Sequence, residues 1–158
     1  MARTHNDLFR AIIDGTFMAD LEPATERTVL GVLYPRCEAE THIDRRGREW
    51  TRRAEMTVYC IDQDCMADTD GGTVLFDVAG WYGHVGWQYF EVPEGTELPD
   101  CLVIETTGGV RRNRSGALQG KLHMIVPRNR MTLQAYRAAL DGLARNAIVR
   151  QIQLAASG

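Results

Sequence analysis

The chain has 158 residues, a mass of 17.7 kDa, 44% hydrophobic and 25% charged residues, which fits one globular domain over residues 1–158 with a real core. Its net charge of −3 and pI near 5.8 argue against general coating of nucleic acid and leave a small phosphorylated ligand as the better anionic partner. No run is long and apolar enough to span a bilayer, and MARTHNDLFRAIIDG lacks the h-region of a secretory signal, so any export is expected to use a machine that accepts folded cargo.

In chain order, Asn6 to Gly15 reads two ways. Leu8, Phe9, Ile12 and Ile13 fit a helical stripe with Asn6 as cap. They equally fit the two faces of a strand, which places Arg10 beside whatever that face binds. On the strand reading, replacing Arg10 is expected to weaken a ligand and leave folding nearly unchanged. Thr28–Tyr34 reads as a short extended run, His42–Arg48 as an exposed turn, and Trp50–Ile61 as a strand. Asp62–Asp70 reads as an acidic solvated loop without the ligand pattern of a calcium-binding loop.

Gly71–Gly80, GGTVLFDVAG, is where the chemistry is expected to gather. Gly71 and Gly72 allow a tight turn and close backbone approach to a ligand, and Thr73 opens the apolar run Val74-Leu75-Phe76. The plain alternative is a glycine turn feeding a core strand. Beyond it, Gln88–Val92 is a strand stopped by Pro93, Leu102–Glu105 a short strand, Thr106–Gln119 a loop, and Leu122–Val126 a strand ended by Pro127. Thr132 caps a helix reaching about Ala155, with Leu133, Tyr136, Leu140, Leu143, Ala147, Ile148 and Ile152 in an apolar stripe. Strands followed by one terminal helix indicate an α+β fold with a largely antiparallel sheet.

Charge is distributed unevenly. Ala54–Val110 contains no Lys or Arg, whereas Thr106–Leu140 contains no acid, and Arg45, Arg46, Arg48, Arg52 and Arg53 form a second basic cluster. Either the two halves neutralise each other or arginines collect at a local phosphate site. Cys37, Cys60, Cys65 and Cys101 suit a reduced compartment as free thiols; a zinc site is conceivable, but the spacing has no CxxC pair.

Several strings, in order, resemble the NAD-dependent ADP-ribosyltransferase-like cytotoxins delivered between bacteria by type VI secretion. They are DLFRAI (7–12), GGTVLFDVAG (71–80), FEVPEGTELP (90–99), HMIVP (123–127) and RNAIVRQ (145–151). The resemblance implies split antiparallel sheets around an NAD cleft. It implies that Arg10, Gly72, Thr73, Phe76 and Tyr82 contact NAD and that Thr73 and His123 serve catalysis, with no metal. Thr73-Val74 stands where the family has Thr-Ser, and Leu122-His123 where it has His-Tyr. For a glutamate acting on the ribose, Glu91, Glu94 and Glu105 are candidates by composition. Asn146, Arg145, Arg150 and Gln151 read as a packing face of the helix rather than as catalysts. The implied partners are a cognate immunity protein and a secretion-apparatus component, with action in a target cell's cytoplasm and no membrane partner. Two other readings are a metal-independent ribonuclease toxin using His123 with the basic 111–130 segment, and a non-catalytic interaction module.

Overall fold

The computed structural model describes residues 2–13, 29–43, 46–83, 86–112 and 118–157. Its centre is a five-stranded antiparallel sheet in the order β7-β1-β6-β9-β8, formed by β1 (Leu8–Ile13), β6 (Thr73–Phe76), β7 (Trp87–Val92), β8 (Leu102–Arg112) and β9 (Leu118–Pro127). The ambiguous N-terminal segment is therefore a strand. A hairpin of β2 (Glu40–Ile43) and β3 (Glu49–Arg52) stands apart, and β4 (Val58–Ile61), β5 (Asp64–Ala67) and β10 (Met131–Thr132) make a small third sheet. Helix α1 (Leu133–Ser157) closes the described chain. The α+β expectation holds, with the antiparallel sheets and long C-terminal helix of an ADP-ribosyltransferase-like fold.

Thr132 caps α1 as the sequence predicts, its Oγ1 accepting from the Ala135 amide at 3.0 Å. Tyr136, Leu140, Leu143, Ala144 and Ala147 are buried against Leu8, Ile12, Leu75, Phe90, Val92 and Ile125 of the sheet. Ala144 is an addition to the expected stripe, whereas Ile152 is 64% exposed and lies outside it. The polar residues of this last stretch fasten it to the end of β7 and to the loop after it. Asn146 donates to the Glu97 carbonyl, Arg150 to that of Glu94 and Gln151 to that of Glu91.

Four local expectations are corrected. Thr28–Tyr34 is not extended where described: Val29–Leu33 turns, with Gly31 at φ 85° and the Tyr34 amide donating to the Gly31 carbonyl, which buries Val29 and Leu33. The Trp50–Ile61 strand is two strands, because Glu55 leaves the sheet to reach two arginines. The acidic loop contains β5, which turns back on β4 and makes Cys60 and Cys65 direct cross-strand partners joined by a disulfide, so they are neither free thiols nor metal ligands. The Thr106–Gln119 loop is largely strand, since β8 and β9 run long and pair from Leu102↔Pro127 to Arg112↔Leu118; residues 113–117 lie outside the description. The partial description also leaves out Arg45 of the basic cluster and Gly15.

Candidate functional site

Strand alternation sorts the candidates onto two faces. On β6, Thr73 and Leu75 point toward α1, while Val74 and Phe76 point away. Their β9 partners divide likewise: Thr73↔Ile125 and Leu75↔His123 on the helix side, Val74↔Met124 and Phe76↔Leu122 on the other. Against this second face lies a cavity of ≈ 570 Å³, lined by Val74, Phe76, Leu122 and Met124, by Arg10 and Ala11 of β1, by Trp81 and Tyr82, and by the 50–55 segment with Arg36.

The cavity opens because β1 and β6 separate. Their ladder has a single register pair, Phe9↔Phe76. At the next step of β6 the main-chain groups of Val74 turn to side chains instead. Its amide donates to Glu55 Oε2 at 2.6 Å, and its carbonyl accepts from Arg10 Nη1 at 3.0 Å. An ion pair thus stands where a β1 backbone would otherwise close the sheet, satisfying groups that burial would leave costly. Arg10 grips Glu55 through both arms, Nη1–Oε2 at 2.5 Å and Nη2–Oε1 at 2.8 Å, and Nη2 also donates to the Tyr34 carbonyl. The Arg36 amide and guanidinium add 2.8 and 3.3 Å contacts to Oε1. Arg10 is therefore a buried wedge in the cavity wall rather than an arginine on an open strand face.

Burial raises the Glu55 pKa, but the charges and hydrogen bonds of Arg10 and Arg36 outweigh it and hold the carboxyl below the ordinary value of 4.5. A depressed carboxyl stabilises the fold above its unfolded value, and that contribution disappears as pH falls through the folded pKa. Melting temperature should therefore fall below about pH 4.5, more steeply in the wild type than in Glu55→Gln. Parallel melting curves against pH for the two proteins check this; identical acid limbs would show that Glu55 is not coupled to folding.

The remaining walls are aromatic. Trp81 stacks on Phe76 with centroids 4.5 Å apart and planes at 20°, and Tyr82 meets Phe76 edge-on at 5.5 Å. Tyr82 also stacks on Trp87 at 4.4 Å, and Trp50 of β3 lies 6.0 Å from Trp87. These contacts bring the detached hairpin over the cavity. The Tyr89 hydroxyl steadies the Tyr82 segment by accepting from the Tyr82 amide and donating to the Gly83 carbonyl.

The structure thus brings Arg10, Phe76 and Tyr82 together and places Gly72, Thr73 and His123 elsewhere. Gly72 abuts the Ile125 carbonyl and Tyr136. Thr73 is fully buried; its hydroxyl donates to the Leu33 carbonyl at 2.5 Å and its amide to the Tyr136 hydroxyl at 3.2 Å. His123 is buried between the Thr106 hydroxyl and Asp77, each 3.3 Å away, beside a separate cavity of ≈ 620 Å³. Among the glutamates proposed from composition, Glu91 lies on β7, Glu94 lines the His123 cavity, and Glu105 is exposed opposite Met124. Glu55 is the glutamate lining the aromatic cavity; it follows Arg52-Arg53-Ala54 in a segment that reads as strand, so no local pattern singled it out. Among the described residues no cluster of three or more His, Cys, Asp or Glu has metal-binding geometry.

A family model described as Tse2 ADP-ribosyltransferase toxin matches residues 13–152. The chain belongs to the Tse2 ADP-ribosyltransferase toxin family. No curated protein sequence matches it significantly. The match begins at the last residue of β1 and takes in the hairpin, the other strands and most of α1, so every residue lining the aromatic cavity except Arg10 and Ala11 falls within it.

Proposed function

We propose that this toxin of ADP-ribosyltransferase type uses NAD, bound in the cavity between the split sheet and the β2–β3 hairpin. The observation that carries the reading is the lining itself: Trp50, Phe76, Trp81 and Tyr82 together with Arg10, Arg36, Arg52 and Arg53 around a space of ≈ 570 Å³. Two flat rings joined by a pyrophosphate need aromatic surface at the ends and cationic groups between them. A volume of several hundred Å³ is the scale of cofactor sites. The His123 cavity is similar in size but has no aromatic wall and three acids, Asp7, Asp77 and Glu94, a poor match for a dianion.

Transfer breaks the nicotinamide–ribose bond with oxocarbenium character at the ribose carbon, so the protein must hold the leaving ring and the phosphates while an acceptor, or water, approaches. In this reading Phe76, Trp81 and Tyr82 form the ring-binding wall. Arg10 and Glu55 hold the sheet open, and Thr73 with Gly72 fixes the strand that carries Phe76. The family resemblance supports delivery by type VI secretion into a target cell's cytoplasm, with a secretion-apparatus component and a cognate immunity protein as partners.

Incubation of purified protein with NAD, followed by chromatography for free nicotinamide and by growth assays on induction without an immunity partner, tests the proposal. Nicotinamide release and growth arrest are expected. Growth arrest with bulk RNA cleavage and intact NAD would favour the ribonuclease reading and overturn this one.

A further inference from the structure

The cavity contains four arginines, and their other contacts distinguish them. Each terminal nitrogen of Arg10 already has two acceptors: Glu55 and the Val74 carbonyl for Nη1, Glu55 and the Tyr34 carbonyl for Nη2. Arg36 is paired with Glu55 and donates through Nε to the Arg53 carbonyl at 3.2 Å. Arg53 is exposed at the rim. Arg52 differs from all three. It projects from β3 into the cavity lining, is half-buried, and rests with its guanidinium carbon 5.2 Å from the centre of the Trp87 ring. Among the described residues no carboxylate is in ion-pair contact with it.

We propose that Arg52, seated on Trp87, is the residue that binds the pyrophosphate of the dinucleotide, in place of the β1 arginine. The inference rests on the NAD reading of the cavity and adds which cation serves it. A contact with a ring face leaves the in-plane N–H donors of a guanidinium available, whereas a bidentate carboxylate consumes them. Partial burial makes each remaining donor worth more to an anion than a solvated one would be. The electrostatics agree: burial first, then the Arg36 and Arg10 charges, lower the Arg52 pKa to about 10. It remains cationic at neutral pH, Glu55 offsets that unfavourable setting only in part, and an arriving dianion adds the rest. Arg52 also joins the two walls, since its strand belongs to the detached hairpin and Trp87 begins β7 of the main sheet. A phosphate bound there bridges the hairpin to the sheet.

The probes are ADP-ribose and adenosine, titrated by calorimetry into wild type, Arg52→Gln and Arg52→Lys, with a melting curve for each. Arg52→Gln should bind ADP-ribose about ten- to hundredfold more weakly, Arg52→Lys should fall between because it keeps charge without the fork, and adenosine affinity should be the same in all three. A loss confined to the phosphate-bearing ligand is what a purely structural Arg52 would not produce. Equal ADP-ribose affinities in wild type and Arg52→Gln, or equal losses for ADP-ribose and adenosine, would overturn the assignment. If Arg52→Gln does not fold, the Arg52→Lys comparison decides by the same criteria. Absence of ADP-ribose binding by the wild type would overturn the dinucleotide reading itself, together with this one.

Discussion

Arg10→Ala is expected to lower unfolding free energy by about 3–5 kcal/mol, the cost of stranding one partner of a buried ion pair. The Arg10 and Glu55 side chains are 7% and 2% exposed, so the pair is held largely away from solvent. Without the Arg10 guanidinium the Glu55 carboxylate keeps Arg36 and the Val74 amide but loses its bidentate partner, and the carbonyls of Val74 and Tyr34 lose donors. That loss is a large part of the roughly 5–15 kcal/mol that holds a typical domain folded. Urea denaturation of wild type, Arg10→Ala, Glu55→Gln and the double variant measures it. The double variant should be less destabilised than the sum of the singles, because removing both charges leaves neither orphaned. Wild-type stability in Arg10→Ala would refute the wedge and restore the expectation of an arginine facing solvent.

The difference between these two expectations shows what was legible. The α+β class, the terminal helix and its Thr132 cap were readable because each follows from a local period or a local hydrogen bond. Arg10 was readable beside a cleft only on the strand alternative and the family resemblance, and its partner lies 45 positions away in a segment that reads as unbroken strand. Nothing in Thr57–Ile61 signals that Glu55 is drawn out of the sheet; the arginines that draw it are distant in sequence. Likewise the disulfide depends on β5 pairing with β4, and the acidic residues of that stretch suggested solvent instead.

Strand alternation separates two residues that the string Gly71–Gly80 offers together. Thr73 and Phe76 are three positions apart on one strand and so point to opposite faces of the sheet. Applied to Gly71–Gly80, that rule keeps Phe76 with the aromatic wall and sends Thr73 to the helix side, where it is buried beneath Leu33 and Tyr136. The aromatic and glycine-rich connector after Gly80 then carries more of the site than the string before it. Trp81 and Tyr82 come from that connector, and Trp50 and Arg52 come from a stretch that none of the resembling strings covers.

Gly72→Ala should be as disruptive as any cavity variant, although Gly72 does not line the cavity. A Cβ there would stand 1.9 Å from the Ile125 carbonyl oxygen and 2.7 Å from the Tyr136 hydroxyl. Both neighbours are fixed. Ile125 opens the β6–β9 ladder opposite Thr73, and the Tyr136 hydroxyl donates to that same carbonyl while accepting from the Thr73 amide. Relieving the overlap requires β6 and β9 to part where α1 is fastened to them, so overpacking and lost hydrogen bonds add to about 3 kcal/mol or more. Gly142 provides the contrast, since a Cβ on that helical residue meets nothing within 4 Å. Gly142→Ala should raise stability by up to about 1 kcal/mol through helix propensity. Melting curves for both variants, with NAD titrated into each, separate packing from ligand contact. If Gly72 were needed for close approach of a ligand, Gly72→Ala would melt like the wild type and lose NAD affinity. If it is the seat of β9 and Tyr136, melting collapses first, and any fraction that remains folded binds NAD through walls the substitution does not touch.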